Sequence, residues 1–145
     1  MPIIRFLKII LLLPVLILGA CSESAPERET KVGRDYLSYV DETRTSWNSD
    51  NARPLATTIW YPTVPTAQEK LWQVAIFNAG WSALSSPILE PKNPYPLVVL
   101  SHGTGGSALQ LSWLAEHLAS NGYIVAAVNH HGNTCLLYTS PSPRD

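Results

Sequence analysis

Hydrophobic and polar positions divide the middle of the chain into strands, loops and one helix. Tyr36–Thr45 alternates in part, and Leu55–Tyr61 is a β-branched and aromatic run closed by Pro62. These two segments predict an antiparallel strand pair at the edge of a sheet. Leu71–Gly80 fits both a strand and a short helix, whereas the four prolines of Ser85–Pro96 predict a loop.

The next part of the chain has the pattern of a strand, a helix and a second strand. Leu97–Ser101 and Tyr123–Val128 are short apolar runs, typical of buried parallel strands. Between them, Ser107–Asn121 carries apolar residues at the spacing of an amphipathic helix, and Gly122 provides its left-handed end. The links are short, so we expect a βαβ unit with a right-handed crossover. The predicted fold class is α/β, with antiparallel edge strands leading into a truncated parallel βαβ unit.

Composition limits the class of protein and its partners. The chain has 145 residues, enough for about one small domain. The apolar content of 46% and the five tryptophans predict a packed core. The net charge of −1 gives no basic face, so we expect no nucleic-acid partner.

The N-terminus has the pattern of an export signal followed by a spacer. A positively charged start precedes Ile9–Leu18, an apolar run too short to span a bilayer. Residues 1–20 are therefore predicted to be a lipoprotein signal peptide, because Leu-Gly-Ala before Cys21 resembles a bacterial lipobox. An ordinary signal peptide with a chance cysteine is the alternative. Residues 21–35 begin with a polar, charged tract and are predicted to be a flexible tether.

The lipobox resemblance implies a location as well as a modification. Lipid on Cys21 would anchor the protein to a membrane, and more than one acyl chain makes such anchoring stable. Ser22 in place of an aspartate implies the outer membrane, facing the periplasm, in a Gram-negative cell. The expected localisation is thus that of an exported, membrane-anchored bacterial lipoprotein.

The C-terminal segment 135–145 continues none of these patterns. Its sequence, CLLYTSPSPRD, resembles the translated adapter sequence found at broken ends of metagenomic reading frames. We therefore expect a non-native tail, with a natural Pro/Ser-rich tail as the alternative. With Cys21 assigned to lipid, Cys135 is the only other cysteine, and no disulfide within the chain is expected.

The glycine-rich stretch SHGTGGSA, Ser101–Ala108, lies between the predicted strand and helix. It fits the dinucleotide fingerprint G-x-G-x-x-G/A formally. That fingerprint needs an acidic residue near the end of the next strand, and the residues there are Asn129, His130 and His131. A Walker A loop is excluded because no lysine follows the glycines. A phosphate-binding Rossmann domain therefore remains the less favoured alternative to a loop that stabilises an oxyanion.

Three blocks together resemble a known family: RPLATTIWYP, PLVVLSHGTGG and WLAEHLASNGYIVAAVNHHGNT. They are similar to the exported dienelactone-hydrolase-like and platelet-activating-factor-acetylhydrolase-like esterases. The resemblance runs from about Tyr36 to Thr134. It implies that residues 36–134 are the N-terminal part of an α/β-hydrolase domain.

The resemblance also assigns roles to individual residues. The backbone N–H of Thr104 would stabilise the oxyanion, with Gly103 and Gly105 shaping the loop. His102 would anchor the loop and not act as the catalytic base. A plain strand-to-helix turn is the alternative for this loop. A second set of residues, implied to form a pocket wall or to anchor a loop, consists of His130 and His131.

The family's nucleophile, acid and base are missing from this chain. The family has a G-x-S-x-G elbow, an Asp and a His after this βαβ unit, and none follows here. Ser82 in Gly-Trp-Ser-Ala-Leu is a poor imitation that precedes the loop. We expect a full-length serine hydrolase acting on small esters, acyl bonds or lipids, and an inactive fragment. No cofactor is expected. No metal is expected either, because His102 could converge on His130 and His131 but no carboxylate or cysteine is placed to join them. A non-catalytic, anion-binding lipoprotein remains the rival class.

Overall fold

The computed structural model describes residues 24–46, 49–134 and 137–138. Within these residues, most strands belong to one six-stranded sheet, and one α-helix and a 3₁₀ turn lie between two of its strands. The elements are β1 Lys31–Thr45, β2 Ala52–Thr63, β3 Lys70–Val74, β4 Phe77–Leu84, β5 Leu97–Ser101, the 3₁₀ turn Ala108–Leu111, α1 Ser112–Ser120, β6 Ile124–Val128, β7 Asn133–Thr134 and β8 Leu137–Tyr138.

The sheet combines antiparallel and parallel strands in the order β3-β4-β1-β2-β6-β5. β1 pairs antiparallel with β2, and β2 pairs antiparallel with β6. β5 and β6 are parallel neighbours joined through the helix, so the predicted βαβ unit is confirmed. The edge away from β5 differs from expectation, because it is formed by the β3–β4 hairpin and not by the β1–β2 pair, and β4 pairs parallel with β1.

The segment that fitted both a strand and a helix forms this hairpin. β3 and β4 pair antiparallel, from Lys70 opposite Ser82 to Val74 opposite Phe77. Between them, Ala75 adopts a left-handed backbone conformation with φ 53°, which is uncommon for a residue with a side chain. The tight turn brings the apolar residues Ile76 and Phe77 to the surface. The antiparallel pairing of β3 with β4 therefore confirms the strand prediction for this segment and shows that the helix prediction was wrong.

The core lies between α1 and the centre of the sheet. Val32, Trp60 and Val125 are fully buried on the sheet, and Ala115 and Ala119 face them from the helix. The alanines lie on the predicted apolar stripe, and their small side chains let the helix pack closely against the strands. Burial of the large apolar side chains supplies the main driving force for this packing.

Two details of the βαβ unit differ from expectation. The residues Leu97 and Val99 on β5 are 63% and 65% exposed, because β5 is the last strand of the described sheet. The predicted helix is divided into the 3₁₀ turn and α1, and the Ser107 side chain does not cap it. The Asn129 side chain caps the 3₁₀ turn instead, because its oxygen accepts a hydrogen bond from the Ala108 N–H at 2.9 Å.

The predicted tether is too long at its C-terminal end. β1 begins at Lys31, and the Arg28 guanidinium forms ion pairs with the carboxylates of Glu69 and Glu116. The stretch 28–35 is therefore part of the folded domain. The prediction failed because the partners of Arg28 lie 41 and 88 residues further along the chain. Composition alone does not distinguish a charged segment that pairs with such distant residues from one that is exposed to solvent.

Several expectations fall on residues outside those that the structure describes. These are the signal peptide 1–20, Cys21 and most of the segment 135–145. Within that segment, the backbone of β8 pairs antiparallel with β7. Among the described residues, no helix has the length and apolar character needed to cross a bilayer.

Candidate active-site loop

The glycine-rich loop lies where the two parallel strands end. Ser101 is the last residue of β5, and the loop 102–106 leads from it towards the 3₁₀ turn. β6 ends alongside at Val128, followed by Asn129 and His130. Ligands of open α/β sheets bind at this carboxyl end of the strands, so the loop occupies the expected position for a site.

His102 connects the loop to the end of β6. Its imidazole is buried, and its Nε2 accepts a hydrogen bond from the His130 N–H at 3.0 Å. Nδ1 must then carry the proton, and it donates to the Gly103 carbonyl at 2.8 Å. Both ring nitrogens are thus used in holding backbone, so the network assigns His102 as a neutral imidazole within the loop's framework.

The loop turns through the four residues 103–106. The Gly106 N–H donates to the Gly103 carbonyl at 3.0 Å, and Gly105 has φ 68°. A positive φ at the third position is what a type II turn requires, and glycine adopts it without strain. Gly106 is needed for space, since a Cβ there would lie 3.0 Å from the Gly103 carbonyl oxygen. A Cβ on Gly103 would meet no atom within 4 Å.

The backbone donors of this turn are unequally occupied. The Gly105 N–H donates to the Asn133 side-chain oxygen at 3.3 Å, and the Gly106 N–H closes the turn. Within the described part of the chain, the Thr104 N–H has no acceptor, and Thr104 itself is exposed. An open donor thus lies on the residue expected to supply an oxyanion contact.

Two asparagines support the loop and were not singled out in the sequence. Asn129 fixes the start of the 3₁₀ turn through the Ala108 N–H, and Asn133 holds Gly105. Sequence analysis considered Asn129 only as a position lacking an acid. The available signal was an asparagine directly after a buried strand, a residue type that commonly bonds nearby backbone.

The adjacent histidines point to different partners. His130 Nε2 lies 2.8 Å from Ser101 Oγ, and its ring centre is 4.5 Å from that of His102. Burial, reinforced by the positive charge of Arg53, lowers the pKa of His130 below its ordinary value. The uncharged ring is therefore favoured next to the loop.

His131 Nε2 instead contacts Ser46 Oγ at 2.7 Å, at the end of β1. The structure thus brings His130 together with His102 and directs His131 away from them. The described residues contain no group of three or more His, Cys, Asp or Glu side chains that could hold a metal ion.

The imitation elbow is a structural feature. Ser82 is buried on β4, and its Oγ accepts a hydrogen bond from Arg34 Nε at 3.1 Å. A nucleophile must be reachable at a sharp strand-to-helix turn. Ser82 lies within a strand, in agreement with the low weight that its sequence context gave it.

Comparison with known proteins identifies the relatives of this architecture. Residues 50–140 match the family described as platelet-activating factor acetylhydrolase, isoform II. Platelet-activating factor acetylhydrolase from Gallus gallus is 37% identical over 62 residues, covering 43% of this chain and 15% of that protein. The family match includes the glycine-rich loop and the βαβ unit.

A solved structure is similar in both fold and sequence. A ferulic acid esterase from Streptomyces cinnamoneus matches with a TM-score of 0.62 and 34% identity. The match covers 74% of this chain and 35% of the esterase. The chain therefore spans well under half the length of both relatives.

Proposed function

The chain belongs to the platelet-activating factor acetylhydrolase isoform II family, and on that premise we propose that it is the N-terminal part of a serine hydrolase that cleaves carboxylic ester or acyl bonds. The observation that carries the proposal is the open N–H of Thr104 at the carboxyl end of the parallel strands. An exposed backbone N–H without a protein acceptor at this edge of the sheet is free to donate to a bound carbonyl oxygen.

The Thr104 N–H would act on the substrate's carbonyl oxygen. As the carbonyl is attacked, its oxygen becomes negative, and a fixed N–H within hydrogen-bond distance stabilises that charge. The turn closed by Gly106 and the two bonds of His102 hold the donor in place before the substrate arrives. Preorganisation of this kind lowers the barrier, because the loop does not have to reorder during the reaction.

The remaining catalytic groups would lie in sequence not present in this chain. The family resemblance assigns a Ser nucleophile, an Asp and a His to positions after the βαβ unit, where they would form a triad. His102 is unsuited to be the base, since both its nitrogens hold backbone groups. The 145-residue chain is therefore proposed to be inactive by itself.

The decisive experiment deletes the Thr104 N–H without disturbing the turn. Proline has no N–H and is favoured at the second position of a type II turn, so Thr104→Pro removes the donor alone. In the longer protein, we expect kcat for p-nitrophenyl acetate to fall by about 10²–10³-fold. Thr104→Ala keeps the N–H and is the matched control. Equal rates for the two variants would exclude an oxyanion role.

A second experiment tests the inactivity of this chain. Ser101 and Ser46 each contact a histidine, so they are the described serines with a nearby base. A serine-reactive phosphonate should label neither in the 145-residue chain, and should label one serine in the longer protein. Labelling of Ser101 would place the nucleophile in this chain and overturn the proposed division.

The proposed substrate is a small ester or a lipid ester, and the proposed location is a membrane. The two relatives are named for an acetylhydrolase and a ferulic acid esterase, so short-chain lipid esters and aromatic acyl esters should be compared directly. Lipid on Cys21 would anchor the enzyme. Cys21→Ser should then release it from the membrane fraction without lowering kcat, whereas an unchanged distribution would exclude that anchor.

A further inference from the structure

A second groove lies at the β3–β4 end of the sheet, away from the glycine loop. It has a volume of about 630 Å³ and lies beside β1, β3 and β4. Its wall includes two cations, Arg34 and Lys70, and the apolar side chains of Trp72 and Leu84. None of its lining residues belongs to the loop 102–106 or to the ends of β5 and β6. The groove is thus distinct from the proposed oxyanion site.

Arg34 is a buried cation that has no ion pair with any residue that the structure describes. The residue is 6% exposed, and its guanidinium carbon lies 3.8 Å from the centre of the Trp72 ring. Its Nε donates to Ser82 Oγ, but its Nη1 is enclosed and has no acceptor among the described residues. A buried charge is costly unless it is paired, and contact with an aromatic face compensates only part of that cost.

Nearby carboxylates do not neutralise the groove. Asp35, the next residue on β1, contacts the Tyr36 N–H and Ser85 Oγ and lines a different cavity. Glu69 is occupied by Arg28 and by the Val32 N–H. The residues that line the groove include no Asp or Glu. Two positive charges therefore face the same space with no negative side chain among its walls.

We propose that this groove binds a small organic anion, with its carboxylate or phosphate group at Arg34 and Lys70 and its apolar body against Trp72 and Leu84. Arginine donates to such groups through a planar fork, and an enclosed guanidinium binds them more strongly than an exposed one. The Ser82 hydroxyl, which accepts from Arg34, lines the same groove and retains its own hydrogen for donation.

The proposal is tested by binding, measured calorimetrically on the whole protein at fixed ionic strength. Benzoate and phenyl phosphate are the probes, and benzyl alcohol is the uncharged control. We expect at least one anion to bind and the alcohol not to bind. Binding of benzoate alone assigns a carboxylate ligand, and binding of phenyl phosphate alone assigns a phosphate. Failure of both anions, or equal binding of benzyl alcohol, would overturn the proposal.

Matched variants locate the binding. Lys70 is exposed, so Lys70→Gln should leave the fold intact and raise the Kd of the anion about tenfold, as loss of a charge-assisted contact predicts. Lys92→Gln changes an equally exposed lysine outside the groove and should leave the Kd unchanged. Arg34→Gln should abolish binding, with circular dichroism as the check on folding. Equal Kd values in Lys70→Gln and Lys92→Gln would refute the site.

Binding at the proposed oxyanion loop would give a different result. Thr104→Pro, which removes the open N–H of that loop, should bind the anion as tightly as the unmodified protein. Loss of binding in Thr104→Pro would move the anion to the loop and reject the groove. The groove can therefore fail while the proposed hydrolase function stands, and the reverse also holds.

Discussion

The charged cluster around Arg28 and the glycine-rich loop differ in whether their polar groups have hydrogen-bond partners. In the cluster, Glu69 accepts from Arg28 and from the Val32 N–H, and Glu116 accepts from Arg28 and from the Trp81 N–H. In the loop, the N–H of Thr104 is left without an acceptor among the described residues. Paired groups hold the domain together, whereas an open donor is available to a ligand.

The two regions also differ in how they are built. The cluster joins residues far apart in sequence, linking the N-terminal segment to the hairpin and the helix. The loop is built mainly from backbone. It is held by the imidazole of His102, next to Gly103 in sequence, and by the side chain of Asn133, 28 residues after Gly105. We therefore expect changes in the cluster to alter stability, and changes in the loop to alter mostly the local geometry.

The largest effect should come from removing the shared cation. In Arg28→Met, two largely buried carboxylates lose their counter-ion, since the side chains of Glu69 and Glu116 are 4% and 14% exposed. The free energy of unfolding should fall by about 3 kcal/mol or more, the cost of leaving buried charges unpaired. Urea denaturation of the protein provides the measurement.

The matched control for that variant is Arg44→Met. Arg44 pairs with Asp41 on the surface, with its side chain 59% exposed, and exposed pairs contribute little. The unfolding midpoint of this control should stay close to that of the unmodified protein. If both variants lost the same stability, the cluster would be no more than another surface ion pair.

A smaller effect is expected from space in the loop. In Gly106→Ala, the new Cβ would lie 3.0 Å from the Gly103 carbonyl oxygen and 2.5 Å from Gln110 Oε1. Gln110 can move, but the backbone carbonyl belongs to the turn, so we expect a loss of about 1–3 kcal/mol. Gly103→Ala meets open space and should change the unfolding midpoint less. The reverse ranking would show that the turn is not built as described.

The smallest effect should be a pH dependence from His130. Burial, with a contribution from the charge of Arg53, lowers its pKa below the ordinary value of 6.5. Because the unfolded chain then binds more protons, this residue's contribution to stability is complete above pH 6.5 and is lost as pH falls towards the lowered pKa. Stability of His130→Gln should therefore depend less on pH below 6.5.

A direct measurement is the NMR titration of the His130 ring in the folded protein. A midpoint at or above 6.5 would contradict the assigned cause, because burial and a neighbouring positive charge both disfavour the charged ring. A positive charge acquired by His130 would also lie beside the His102 ring, whose two nitrogens are already used in hydrogen bonds to backbone groups.

Sequence analysis predicted the strands, the helix and the βαβ unit because each depends on local periodicity. Leu97–Ser101 was found as a strand from its apolar run, yet its exposure depends on which strands lie beside it, which periodicity does not encode. The division of the helix was missed for a similar reason. It depends on an acceptor, Asn129, that arrives from the far end of β6.

The position of the candidate site was predictable to the level of the glycine-rich loop, but its detailed geometry was not. Gly103, Gly105 and Thr104 follow from the motif, whereas the steric need for Gly106 and the divergence of His130 and His131 follow from packing. The charged cluster was invisible, since Arg28 and its two partners are separated by 41 and 88 residues. Pairings at such separations require the fold.

The ion pairs of Arg28 also set a length scale. Arg28 lies seven positions after Cys21, and a fully extended chain over seven positions reaches about 25 Å. If Cys21 carries lipid, as proposed, the tether between the membrane and the folded domain ends at Arg28. The domain is then held close to the bilayer surface. Such a protein would search a thin layer over the membrane and meet esters held in that layer more often than those in bulk solution.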